Sequence, residues 1–125
     1  MAGYSDVKAV TITADTVALD ADGISVAASV GNNAALTIGG ALASGGAVSL
    51  SHGRIVTILS AGNDAAKSFT VTGTDVNGDS QTESITGANA GTATGTKFFK
   101  TISGISAVGN PAGNVSAGVN ASAAD

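Results

Sequence analysis

The chain has 125 residues, with five Lys and Arg against nine Asp and Glu, a formal net charge of −4, one His and no Cys. Five scattered basic side chains argue against nucleic-acid binding, which needs a run of cations to neutralise phosphates. The missing thiols exclude disulfides and cysteine metal sites. Charged residues make up 11% of the chain, against a usual ~25%, so the surface must be built from Ser, Thr, Asn and Gly.

Leu, Ile, Val and Phe together number 28, while Ala and Gly number 42. The core is therefore thin for one domain of this length. Ordering costs of roughly 1–2 kcal/mol per residue favour association with copies of itself or with a larger surface. The opening MAGYSD has neither the basic nor the apolar region of a signal peptide. No run approaches the ~20 apolar residues of a membrane helix. These features set the expectation of a protein made and folded in a cytoplasm, with no membrane partner.

Residues 1–6 read as a loose arm of small polar residues. Residues 7–14, VKAVTITA, alternate Val10, Ile12 and Ala14 with Thr11 and Thr13, the period of two of a strand. Val17 and Leu19 continue it after Asp15-Thr16. Asp22-Gly23 marks a turn, and residues 24–26 a short strand or helical turn. Between 31 and 53, glycine pairs punctuate Leu36-Thr37-Ile38 and Val48-Ser49-Leu50. A helix there would carry internal glycines at about 1 kcal/mol each, so two short strands with glycine turns are expected.

Residues 54–106 organise the rest: they hold all three Phe and four of the five basic residues. Residues 54–60, RIVTILS, predict a central strand buried on both faces. Phe69, Val71 and Gly73 then alternate with threonines, Asn77-Gly78 follows, and a second alternating run ends at Ile85. This predicts a hairpin. A two-residue loop would place Ile85 on the face opposite Phe69 and Val71. A three-residue loop of Val76, Asn77 and Gly78 pairs Asp75 with Asp79 and Phe69 with Ile85, keeping the apolar face intact with Gly78 left-handed. Residues 87–95 read as a loop and 97–105 as a strand bent at Gly104. A last strand is expected over 114–119 and a small-residue tail over 120–125. The main domain thus spans 7–119. Its many short strands predict an all-β, antiparallel β-sandwich, with a solenoid-like first half as the alternative.

The chemistry is sparse. His52 is the sole histidine, and a base needs an orienting partner and a nucleophile beside it. Asp75-x-Asn77-x-Asp79 resembles the start of a calcium loop, but its glycine falls at the fourth position and no Glu closes the twelfth. Hairpin solvation is the better reading. There is no phosphate loop. Phe98 and Phe99, being neighbours in a strand, should enter opposite faces. No enzyme activity, cofactor or metal is expected.

From Leu19 to Val119 the chain resembles small β-rich structural proteins of tailed bacteriophages. The resemblance rests on ALASGGAV, a strand opening at Arg54, SAGND, FTVTGTDVNG, Glu83, TGANAGT and TKFFKTISGI. Gly62, Phe69, Gly73, Asp75, Gly78, Gly87 and Phe99 are the matching positions, and Ala88 stands where the pattern commonly has Pro. The resemblance implies a virion component, a capsid decoration or cement protein on the outer head surface. Its partners would be the major capsid protein and copies of itself, as a trimer or dimer. Ala2, Gly3, Tyr4, Ser5 and Asp6 form the candidate capsid-contact arm. A tail, neck or fibre protein is the alternative. A glycan-binding module comes third, since the chain has no Trp and only Tyr4 to stack on sugars.

Overall fold

The computed structural model describes residues 20–124, with side chains described to Asn120. The expected arm over 1–6 and strand over 7–14 lie outside the described residues. Seven strands follow one another: β1 (Asp20–Ser29), β2 (Ala43–Ser44), β3 (Ala47–Ser60), β4 (Ser68–Thr74), β5 (Ser80–Thr86), β6 (Thr92–Val108) and β7 (Asn114–Ala124). No helix occurs among the described residues. The chain is all-β, and every strand pairing is antiparallel.

The strands form one continuous hydrogen-bonded sheet, β1-β7-β3-β6-β4-β5, with β2 attached to β3. The long strands of this open sheet carry register shifts. The β3–β6 register shifts between Ser49 and Arg54 and again between Ile55 and Thr57, and the β4–β6 register shifts between Thr72 and Gly73. Such bulges bend and twist a strand. The shift on β6 falls beside Gly104, where the sequence predicts a bend. Ile24, Val56, Ile58, Phe69, Val71, Phe99, Ile102, Ile105, Val115 and Val119 then meet in a single buried cluster.

Several expectations change; the turn expected at Asp22-Gly23, for one, lies inside β1. A solenoid-like first half does not form, because β1 pairs with β7 from the far end of the chain. Of the two short strands expected over 31–53, Leu36-Thr37-Ile38 is a loop that follows one bridge, Ala35 to Ser106, while Val48-Ser49-Leu50 lies near the start of the long β3. Turns at Asn33, Gly45 and Gly46, all with positive φ, interrupt the stretch too often for a repeating coil. The tail expected from residue 120 is the end of β7: Ala123 pairs with Arg54 and Ala124 with Gly53. Small side chains suggested looseness, but a ladder is held by backbone groups, which small residues supply as well as large ones.

The hairpin takes the three-residue loop. Phe69 lies opposite Ile85 and Thr74 opposite Ser80. The Asp75 N–H donates to Asp79 O at 2.9 Å, and Gly78 has φ of 86°. Open space surrounds Gly78, so the backbone conformation alone calls for glycine there. Gly78→Val should lower stability by about 1–3 kcal/mol, and Gly78→Asn by less, because Asn tolerates this region. Urea unfolding midpoints check the ranking; a valine variant as stable as wild type would refute the loop conformation.

Candidate functional site

The hairpin residues singled out from the sequence divide by depth. Phe69, Val71, Gly73 and Ile85 are buried, Asp75 is half-buried, and Asn77 and Gly78 are exposed at the tip. Asp75 shapes that tip: its Oδ1 accepts from Asn77 N–H at 2.9 Å and from Asp79 N–H at 3.0 Å. The carboxylate therefore binds the loop's own amides, as expected of a solvated hairpin turn. Phe99 is buried and Phe98 half-buried, on opposite faces. His52 is half-buried within β3. Among the described residues no group of three or more His, Cys, Asp or Glu could hold a metal ion.

The buried ionic groups bind backbone. Glu83 points inward from edge strand β5 and is 8% exposed. Its Oε2 accepts from Thr96 N–H at 2.6 Å and from Thr96 Oγ1 at 3.0 Å, and its Oε1 accepts from Lys97 N–H at 3.4 Å. Gln81 Nε2 donates to Phe98 O at 2.7 Å. These groups sit where β6 has β3 on one edge and β4 has not yet begun to pair with it at Thr101. Side chains of β5 thus complete the ladder. Gly95 leaves room for them, since a Cβ there would lie 2.7 Å from Glu83 Oε1. β6 itself starts at Thr92, inside the stretch whose low complexity suggests a loop, because Leu59, Ile58 and Thr57 of β3 pair with Thr92, Ala93 and Thr94. An inward charge on an edge strand also discourages further strands from adding.

Asp64 is fully buried and joins three loops. Its N–H donates to Ala88 O, its carbonyl accepts from Lys67 N–H, and its Oδ1 accepts from Ala112 N–H at 2.7 Å. Its Oδ2 is buried with no partner among the described residues. Arg54 is buried where β3 meets β7, donating from Nε at 3.1 Å and from Nη2 to Asn120 O. Burial lowers its pKa and nearby Asp20 raises it; a guanidinium stays charged throughout. The sequence marks Arg54 only as the start of a strand, and gives Asp64 no role of its own. The readable signal is scarcity: in a chain so poor in charge, the buried ionic groups Arg54, Asp64 and Glu83 each hold backbone groups.

The surface feature of most interest lies at the β1 edge. Gly39 and Gly40 N–H donate to Ile24 O, and Leu42 N–H to Gly23 O. Beyond that cover, residues 26–29 are exposed, and Val26 stands 55% open. Val26, Ala27 and Ala28 line a shallow hollow of about 300 Å³ with Thr37 and Gly39. No helix among the described residues is long and apolar enough to cross a membrane. No protein-family model, curated protein or solved structure matches this chain.

Removing the carboxylate of Glu83 should leave the Thr96 and Lys97 amides without acceptors inside the fold. Glu83→Ala should cost about 1–3 kcal/mol, and Glu83→Gln less, because one acceptor oxygen remains. Denaturant titration of both variants tests this; equal, near-zero losses would show that β5 does not complete the ladder.

Proposed function

We propose that the chain is a structural protein of a tailed-bacteriophage virion, a decoration or cement protein that binds the assembled head and stabilises it. The observation that carries this reading is where the phage-like positions fall in the fold. Phe69 and Phe99 are buried core anchors. Gly62, Gly73 and Gly87 stand where a methyl group would strike neighbouring backbone. Gly78 supplies the positive φ and Asp75 the acceptor of the hairpin tip. The shared pattern is thus a pattern of architecture, which supports a shared scaffold and the structural role that goes with it.

A clamp of this kind needs no reaction chemistry. It adds buried interface between capsid subunits, and by binding only the assembled lattice it stabilises that lattice by mass action. The few charges of the chain suit docking by backbone hydrogen bonds and small-residue packing, which salt weakens little. The proposed anchor is the segment of Ala2, Gly3, Tyr4, Ser5 and Asp6, which would lie along the major capsid protein.

Quantitative mass spectrometry of purified particles tests the role. A copy number comparable to that of the major capsid protein is expected; a handful of copies per particle would place the chain in the tail or neck. A variant starting at Val7 should melt at the wild-type temperature yet lose occupancy on capsids lacking the native protein. Undiminished decoration would remove the arm as anchor and shift attention to the β1 edge, where Val26→Lys is the corresponding test. Light scattering on the isolated protein should report a trimer or dimer, and a cooperatively melting monomer would overturn that expectation.

A further inference from the structure

We infer that Asn77 is a self-modification site, deamidating through a cyclic imide with Gly78, and that the Asp75 side chain sets the rate. This inference is independent of the virion reading. Asn77 is the only Asn in the chain followed by Gly. It is exposed to water at the hairpin tip, and Gly78 presents no side chain to crowd its backbone nitrogen. In the reaction the Gly78 nitrogen attacks Asn77 Cγ. The new N–Cγ bond forms as the Cγ–Nδ2 bond breaks, and the side-chain amide leaves as ammonia with the proton shed by Gly78 N. Water then opens the imide. Cleavage of the Cγ–N bond yields Asp, and cleavage at the main-chain carbonyl yields isoaspartate, with no net oxidation or reduction.

The folded loop opposes the first step. Attack requires the Asn77–Gly78 peptide to rotate until the nitrogen faces Cγ. Three hydrogen bonds hold that peptide and its neighbours in place: Gly78 N–H to Asp75 O at 3.1 Å, Asn77 N–H to Asp75 Oδ1 at 2.9 Å and Asp79 N–H to the same oxygen at 3.0 Å. Two of the three end on one side-chain oxygen. Asp75 is therefore a positioning residue that keeps the reactive pair apart. Once modified, position 77 would carry a third carboxylate between Asp75 and Asp79, and the isoaspartate form would lengthen the loop backbone by one carbon.

The test incubates the purified full chain in warm, mildly alkaline buffer and follows the peptide spanning residues 76–79 by mass spectrometry, with enzymatic detection of isoaspartate. The folded wild type should convert several-fold more slowly than the same protein in urea; equal rates would overturn the inference whatever the variants do. Asp75→Ala should convert several-fold faster than wild type. Asp75→Asn, which keeps an acceptor oxygen and drops the charge, should stay near wild type. An alanine variant as slow as wild type, or an asparagine variant as fast as the alanine one, would refute the role given to the Asp75 oxygen. First appearance of modification at another Asn would refute the site itself.

Discussion

The structure depends on β6 finding a partner for its backbone along its whole length. At 17 residues it outruns any single neighbour. β3 takes one edge over 92–102 and β4 the other from Thr101 onward. Two stretches of edge remain. The loop at 34–36 takes one, with Leu36 N–H on Ile105 O and Ala107 N–H on Ala34 O. Glu83 and Gln81 take the other through their side chains. An unpaired buried backbone group costs about as much as a lost hydrogen bond, so these small contacts decide whether the strand can be this long. Phe99 of β6 and Phe69 of β4 lie in the same buried cluster.

The same economy governs the other buried ionic groups. Asp64 joins the loops at one end of the sheet, and Arg54 holds β7 against β3. Each binds main-chain groups, where a charged partner makes a stronger hydrogen bond than a neutral one. With few bulky residues to wedge strands together, the chain uses charged side chains as backbone fasteners.

Much of this was readable in the residues. Alternation identified the β4–β5 hairpin, and the need to keep Ile85 on the face of Phe69 selected its loop. The apolar run 54–60 marked a central strand, and β3 does lie between β7 and β6. Strand ends were less legible. Low bulk and high glycine content suggested loops at 87–95 and beyond 120, yet strands run through Thr92 and on to Ala124. In both places pairing comes from residues distant in sequence, Thr57 to Leu59 for one and Gly53 with Arg54 for the other. Local composition carries no trace of such partners. The exposed β1 edge was hidden for the same reason: which strand becomes an edge depends on the order of the whole sheet.

The position of β7 constrains how the chain can reach this state. It follows every other described strand in sequence and yet lies between β1 and β3, joining Asp20 to Val119. Pairings of such wide sequence separation are slow to form, because a large loop must close before they stabilise anything. On a ribosome β3 would emerge before its partner β7, and the edge that β7 covers would stay bare until residues 114–124 left the exit tunnel. The sheet is therefore completed only once β7 has been made. During that interval the apolar run of β3 is the part of the nascent chain most open to pairing with another copy, or to holding by a chaperone.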